Sequence, residues 1–225
     1  MKIMKNLKFF FLWIAFFKIS TTFCQNISIE LCTGIGMSQP TFKWTGAFRD
    51  KNAGDGSTEN GQLISVGLTG KVYKFLYLKT EIGTNQTQHL LNFEYDASST
   101  PTSIGGKAFG WQRSSFFYCA FLPEVRFDVV SHLSLYANIG AAFFSNTSSS
   151  LFDALRNREV GEDFRNNSSA FTTNVGMNLK FNDNLGFIFN VGYVSMEAVS
   201  RNLDFIPRIG FTQFNFKFGI SYQLR

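Results

Sequence analysis

Apolar and polar residues alternate in eight segments of the chain, with the two-residue period of a β-strand. The last segment shows the pattern most clearly, because every second residue from Phe214 to Leu224 is large and apolar. Lys217 lies among the polar positions between them. The pattern predicts strands that each have one apolar and one polar face. The segments are 27–37, 63–73, 76–84, 116–129, 133–144, 171–181, 185–194 and 211–225.

The connections between these segments alternate between long and short. Residues 38–60, 85–114, 146–169 and 195–209 are long polar connections, whereas the turns near Lys74, Ser131 and Asp183 are tight. Transmembrane β-barrels of outer membranes sort their connections in this way, with short periplasmic turns and long extracellular loops. We therefore predict an all-β fold, an eight-stranded antiparallel up-and-down transmembrane β-barrel with both termini in the periplasm.

In all eight segments, one of the two alternating sets of positions is mainly apolar, and this set, the apolar parity, contains no charged residue. The charged residues occupy the other set, the opposite parity. A lysine or arginine facing the middle of a bilayer costs about 2–4 kcal/mol, so this exclusion indicates that the apolar faces point outward into lipid. We expect the inward charges to form an ion network that fills the lumen, with a gated narrow pore as the alternative. They are Glu30, Lys71, Lys79, Glu81, Glu124, Arg126, Asp128, Lys180 and Lys217.

A soluble lipocalin-like barrel alternates in the same way, with its apolar face inside. The sorted connections, the glycines on the charged parity and the aromatic residues near strand ends favour the membrane barrel instead. We interpret these aromatic residues as the girdles that lie at membrane interfaces. They are Phe116, Phe117, Phe143, Phe144, Phe171, Phe181, Tyr193 and Phe211.

The first 24 residues have the features of a secretory signal peptide. Three lysines precede a short apolar run at 9–17, and Thr22 and Cys24 suit the cleavage site. The predicted organisation is a signal peptide at 1–24 and a barrel at 25–225. The signal holds four lysines, so the rest of the chain has 17 basic and 16 acidic residues, a net charge of +1. This balance gives no indication of a nucleic-acid partner.

The end of the chain resembles the β-signal that the outer-membrane assembly machinery reads. The residues that carry the resemblance are Lys217, Gly219, Tyr222 and Leu224. The chain as a whole resembles small eight-stranded outer-membrane barrels of the OmpX, OmpW and OmpA-barrel type, in the porin family or outer-membrane protein β-barrel group. The resemblance implies a monomer in the outer membrane of a Gram-negative cell, with the lipid bilayer and the assembly machinery as partners.

The segment 85–114 is the candidate for an extracellular protein partner. We expect an irregular solvated loop there, with a hairpin of residues up to Tyr95 and residues around Trp111 as the alternative. Two local features are also predicted, a β-bulge at Pro123 and a short helix that includes Leu151, Phe152 and Leu155.

The sequence indicates no catalytic, cofactor or metal site. His89 and His132 are predicted at opposite ends of the barrel, too far apart to share a site. Asp50, Asn52, Asp55 and Glu59 lack the order of a calcium-binding loop. Cys32 and Cys119 fall on opposite parities, so we predict two free thiols. The predicted role is therefore non-enzymatic, structural or in surface interaction, with a small-solute pore as the alternative.

Overall fold

Nine strands make up the structure, a computed structural model that describes residues 25–43, 57–95, 106–153, 158–159, 167–196 and 208–224. Eight of them form one antiparallel sheet that closes on itself, and the two-residue strand β6 pairs only with β5. The strands are β1 (Gln25–Lys43), β2 (Ser57–Tyr73), β3 (Leu76–Tyr95), β4 (Gly106–Val130), β5 (Leu133–Asp153), β6 (Arg158–Glu159), β7 (Asn167–Lys180), β8 (Leu185–Met196) and β9 (Arg208–Gln223).

The barrel closes through a long seam between its first and last strands. β1 and β9 pair in register from Ser28 opposite Gln223 to Lys43 opposite Arg208. Every other ring contact joins strands that follow one another in sequence, apart from the brief insertion of β6. The predicted eight-stranded antiparallel barrel is thus confirmed. No helix in the described part of the chain is long and apolar enough to cross a membrane.

The two ends of the barrel differ in their connections. Residues 74–75, 131–132 and 181–184 make tight turns at one end, here called the turn end, where Gln25 and Leu224 also lie. Lys74 has a φ of 41°, a left-handed conformation that this tight connection imposes. The Asn182 carboxamide oxygen accepts hydrogen bonds from the Asn184 and Leu185 amides and so fixes another turn. The opposite end, here called the loop end, carries the longer connections.

The apolar parity faces outward along the strands, as the charge pattern predicted. Ile64, Ile139, Val175 and Phe218 are each half-exposed on the outside, whereas the charged residues between such positions turn inward. A soluble barrel would need the opposite arrangement, with its apolar side chains inside. The observed orientation therefore rules out the lipocalin-like alternative.

Strands on the β3–β5 side continue well beyond their predicted limits. The β3–β4 ladder runs without a shift in register from Leu76 opposite Val125 to Tyr95 opposite Gly106. The irregular loop expected within 85–114 is therefore wrong for the paired parts, and the alternative hairpin is present. β5 likewise continues to Asp153, so Leu151 and Phe152 lie in a strand and not in the expected helix. Leu155 lies outside the described residues.

The bulge predicted at Pro123 is also wrong. Pro123 pairs with Leu78 of β3 in register, and the β4–β5 ladder omits residues 122–123 without shifting. Proline lacks an N–H donor, so it interrupts the ladder locally and needs no extra residue. Gly140 faces this interruption, and a Cβ there would come within 2.0 Å of the Phe121 carbonyl oxygen. The register shifts of this strand pair lie at Ser115/Phe116 and at Asp128/Val130.

Candidate functional site

Six buried charged side chains form a continuous chain of ion pairs across the lumen. They come from four strands, β1, β3, β4 and β9, and acidic and basic groups alternate along the whole chain. This group is called the lumen ion chain below. In order of contact, its members are Glu124, Arg126, Glu30, Lys79, Glu81 and Lys217.

Lys79 and Glu81 occupy the centre of the lumen ion chain. Lys79 Nζ lies 2.5 Å from Glu30 Oε2 and 3.4 Å from Glu81 Oε2. Lys217 reaches the other oxygen of Glu81 from β9, across the lumen from β3. With three acids and three bases the chain is neutral. Neutrality and close pairing compensate for the free energy that burial of each charge costs.

Gly67 of β2 lies beneath the central contact. In the sheet it lies between Glu30 of β1 and Glu81 of β3. A Cβ on Gly67 would lie 3.2 Å from Lys79 Cε and 3.5 Å from Glu30. The absence of a side chain on β2 therefore lets residues of β1 and β3 meet over it.

Neutral groups add further hydrogen bonds to the carboxylates. Thr69 Oγ1 donates a hydrogen bond to Glu30 Oε1 at 2.9 Å, and the Tyr118 hydroxyl donates to Glu81 Oε1 at 2.5 Å. Asn138 Nδ2 donates to Glu124 Oε2 at 3.3 Å. Such secondary bonds matter because an unsatisfied buried polar atom costs about 1–3 kcal/mol. The lumen ion chain is thus a bonded structural unit.

Arg126 bounds the lumen ion chain on the side of the turn end. Its Nε and a terminal nitrogen both donate to Glu124 Oε1, at 2.9 and 2.6 Å. Its guanidinium lies 4.8 Å from the ring centre of Tyr77 and 5.4 Å from that of Tyr136. Cation–π contacts of this kind hold a guanidinium in place when it is removed from water.

Lys71, Asp128 and Lys180 lie apart from the lumen ion chain. They line a cavity of about 170 Å³ that opens at the turn end, called the turn-end cup below. Asp128 accepts a hydrogen bond from Ser134 Oγ at 2.5 Å, and Tyr77 and Arg126 are also part of the wall. The nine predicted lumen charges are therefore divided between a buried chain of six and an open cup with three.

An apolar cluster fills the lumen toward the loop end, and the sequence interpretation missed it. Three phenylalanines from β4, β5 and β9 meet there, with ring centres 5.6–6.3 Å apart. Tyr118 stacks on Phe144 at 5.4 Å and so joins the cluster to the lumen ion chain. The cluster comprises Phe116, Tyr118, Ala120, Leu122, Ala142, Phe144, Ala170, Val194, Met196 and Phe211.

Three of the predicted girdle aromatics therefore have a different role. Phe116, Phe144 and Phe211 are only 6, 2 and 2% exposed and point inward, so their assignment to the membrane interface is wrong. Phe117 and Phe143, their neighbours in sequence, are exposed on the outside. The alternation of inward and outward side chains, counted from the middle of each strand toward its end, would have assigned the three buried phenylalanines to the lumen and Phe117 and Phe143 to the outside.

The cavity described in the middle of the lumen is small. The cavity between Glu81, Tyr118, Phe144 and Lys217 has a volume of about 20 Å³. A single water molecule needs about 10–15 Å³ measured in this way. On the loop-end side, the carboxamides of Asn85 and Gln213 bond to each other at 2.6 and 3.2 Å across β1 and β2.

The residues of the predicted assembly signal lie on both faces of β9. Tyr222 and Leu224 are exposed on the outside, whereas Lys217 is part of the lumen ion chain. Gly219 packs against β1, where a Cβ would lie 2.1 Å from the Leu31 carbonyl oxygen. The structure therefore gives Lys217 and Gly219 a packing role, while their role in assembly stays a prediction.

The remaining candidates for chemistry are dispersed. Cys32 and Cys119 are free thiols on opposite faces, as predicted. His132 lies in a turn at the turn end, whereas His89 pairs with Gln112 toward the loop end. The described residues contain no group of histidine, cysteine and acidic side chains that could hold a metal ion. Asp50, Asn52 and Asp55 lie outside the described residues.

Solved structures with a similar fold are small barrels of outer membranes. OprG from Pseudomonas aeruginosa matches with a TM-score of 0.58 and 11% identity, over 90% of this chain and 97% of that protein. The chain has the fold of a small outer-membrane β-barrel. Neisserial surface protein A matches at 10% identity over 88% of this chain and 97% of its own, with a TM-score of 0.49. No protein-family model and no curated protein matches the chain.

Proposed function

We propose that the protein is an integral outer-membrane protein that acts without catalysis, through a surface built at its loop end. In this proposal the signal peptide at 1–24 directs export, and the assembly machinery reads the last strand. The turn end and both termini face the periplasm, and the barrel is a monomer. The outward apolar faces and the barrel fold support the membrane location.

The observation that carries the proposal is the sheet extension above the barrel. The wall formed by β7 begins opposite Ser145, yet β5 continues to Asp153 and still pairs with β4. Eight further residues correspond to roughly 25 Å of strand. β3, β4 and β5 thus form a three-stranded extension of the sheet, here called the ledge, that continues beyond the described start of β7.

The outer edge of this ledge is suited to strand addition. β2 pairs with β3 as far as Ser57 opposite Leu90. Within the described residues no strand pairs with the same edge of β3 beyond Leu90, up to Tyr95. An unpaired edge offers backbone donors and acceptors to an extended segment of another protein. We therefore propose an extracellular protein partner for the region 85–114.

The filled lumen supports this role over the small-solute pore. A solute would have to separate the buried pairs of Lys79 and Lys217 and then displace the aromatic rings above them. Breaking a buried pair from one side costs about 3–5 kcal/mol, so spontaneous opening would be rare. The same network argues for a structural plug and against a gate.

The orientation of the ledge can be tested with an epitope tag. A tag inserted within 96–105 should be labelled by antibody on intact cells, whereas a tag in the turn at 131–132 should be labelled only after permeabilisation. Heat-modifiable gel mobility would show that both tagged proteins are folded. Labelling of the 131–132 tag on intact cells would contradict the proposed orientation.

Conductance separates the plug from the pore. Purified protein in planar bilayers should give no sustained single-channel openings, with a porin of known conductance as a positive control. Removal of residues 91–110 should leave the folded barrel and its closure unchanged. Stable channels in the unaltered protein would overturn the closed-lumen part of the proposal.

A further inference from the structure

The turn-end cup has the size and chemistry of a binding site for a small polar ligand. Its volume of about 170 Å³ is many times the roughly 10–15 Å³ that a single water molecule needs in the same measure, so the cup has room for several waters or one small oxyanion. Side-chain amides, hydroxyls and charged groups from several strands form the wall. Two of them, Asn178 and Ser221, are buried and hydrogen-bonded to each other, which gives the wall a fixed part.

Two lysines on this wall are the candidate ligand-binding groups. Lys71 lies near the end of β2 and Lys180 ends β7, and these strands lie on opposite sides of the eight-stranded ring. Neither lysine belongs to the lumen ion chain. The lumen ion chain beneath the cup is neutral, so it does not satisfy these two charges.

The acidic residues of the cup are partly engaged. Asp128 accepts the Ser134 hydroxyl at 2.5 Å, and Asp183 also makes an interaction of its own. Arg126 is held by Glu124 and Glu30, so its charge is compensated within the lumen ion chain. The Ser134 hydroxyl is neutral, so Asp128 still opposes an anion, and the groups of the cup that attract an anion are the two ammonium groups, Lys71 and Lys180.

We propose that the turn-end cup binds a phosphate-like oxyanion between Lys71 and Lys180. An ammonium group on each side can donate charge-assisted hydrogen bonds to different oxygen atoms of one phosphate. The oxyanion is either free phosphate or the phosphate of a lipid headgroup, since the cup opens where a membrane surface would lie. The inference depends on the fold and the cup, and not on the role proposed for the ledge.

Phosphorus NMR of inorganic phosphate, titrated with folded protein in a nonionic detergent, tests this site. The double variant Lys71→Gln, Lys180→Gln should bind phosphate at least about tenfold more weakly, because each lost charge-assisted bond accounts for roughly tenfold or more in affinity. Lys74→Gln is the matched control, because Lys74 has the same charge in a neighbouring turn but does not line the cup. Its affinity should stay within about twofold of the unaltered protein.

Asp128→Asn gives a prediction of opposite sign. Removal of this negative charge should tighten phosphate binding, while the asparagine can still accept the bond from Ser134. Heat-modifiable mobility would show that each variant is folded before its affinity is compared. Equal affinity in the double variant and in Lys74→Gln, or no measurable binding by the unaltered protein, would overturn the proposal.

The source of the oxyanion is distinguished by the surrounding lipid. The titration is repeated in vesicles of phosphatidylglycerol and in vesicles of a glycolipid without phosphate. A lower apparent affinity for inorganic phosphate in phosphatidylglycerol, lost in the double variant, would support the site and assign it to headgroups. Equal affinity in both vesicles would support the site and assign it to free phosphate.

Discussion

The two halves of the lumen are filled by different chemistry. Toward the turn end, six charged groups are joined by ion pairs and hydrogen bonds, whereas toward the loop end phenylalanine rings and small apolar side chains pack together. The stability of the ionic half depends on hydrogen-bond geometry, since each carboxylate needs a donor at a defined position. The apolar half depends on volume and shape. Either kind of interaction can thus fill the lumen of a barrel of this width. In this barrel the ionic part lies toward the turn end and the apolar part toward the loop end.

The largest expected effect is the loss of a central charge from the ionic half. Lys79→Gln leaves Glu30 and Glu81 without their shared partner, so the free energy of unfolding should fall by about 3–5 kcal/mol. Equilibrium unfolding by denaturant in lipid vesicles would measure the loss. Lys71→Gln is the control and should change stability by less than about 0.5 kcal/mol, because Lys71 lies in the open cup. Similar losses in the two variants would remove the distinction between chain and cup.

A loss of similar size is expected in the apolar half. Phe144→Ala removes a ring that is 2% exposed, so the free energy of unfolding should fall by about 3–5 kcal/mol. Phe143→Ala, one residue earlier, removes an outward ring that is 42% exposed, and lipid can fill the space. Its loss should be clearly smaller in the same unfolding assay. A larger loss at Phe143 would mean that the facing of this strand end is reversed.

The outer surface is common to both halves, and a charge placed there should be nearly as costly. Phe218 is 50% exposed on the outside, so Phe218→Arg places an arginine in lipid. This substitution should lower the free energy of unfolding by about 2–4 kcal/mol. Gln223→Arg directs the same side chain toward the turn-end cup and should be tolerated. The folded fraction in bilayers, read from heat-modifiable mobility, would compare the two. Equal folding yields would contradict the assignment of the faces.

Tyr118 joins the two halves, so its hydroxyl and its ring can be tested separately. Tyr118→Phe keeps the stack on Phe144 but removes the bond to Glu81, and should cost about 1.5–3 kcal/mol. Tyr136→Phe is the control, because its hydroxyl accepts only a neutral bond from Asn190 at 3.3 Å. That variant should lose about 1 kcal/mol or less in the same assay. Equal losses in the two variants would show that the hydrogen bond to Glu81 contributes no more to stability than the neutral bond of Tyr136.

The smallest effect is expected at Gly67. Gly67→Ala places a Cβ 3.2 Å from the flexible Lys79 side chain, but it also lowers the entropy cost of glycine in a strand. The net loss should be below about 1 kcal/mol. Gly140→Ala, whose Cβ would meet the Phe121 carbonyl oxygen at 2.0 Å, should be much more harmful. If Gly67→Ala were the more damaging variant, the lumen ion chain would be too rigid for Lys79 to move away from the added methyl group.

The sequence predicted the ionic half better than the apolar half for a physical reason. Lys217 lies between outward phenylalanines, and a charge in that setting has only one face where its burial can be compensated. Phenylalanine is stable both in lipid and in a packed lumen, so the pair Phe143 and Phe144 does not by itself show which ring turns inward. The facing becomes clear only when the parity is followed from the middle of the strand.

Partners across the lumen could not be predicted in the same way. Arg126 lies on β4, next to β3 in the sheet, yet its described ion pair outside its own strand is with Glu30 of β1. The contact between Glu30 and Lys79 passes over Gly67 of β2, so its prediction required the register of three strands. The separation of Lys71, Asp128 and Lys180 into the cup likewise depends on where each strand ends.

The seam between β1 and β9 has a consequence for the way the chain reaches its folded state. Nearly all other strand pairs form between neighbours in sequence, but the seam joins the first strand to the last. Contacts of such long sequence separation slow folding, because the chain must lose most of its freedom before they form. Both open edges stay unpaired until β9 docks, and Lys217 reaches Glu81 only then. Closure of the ring and completion of its interior are therefore expected to be one late and cooperative event.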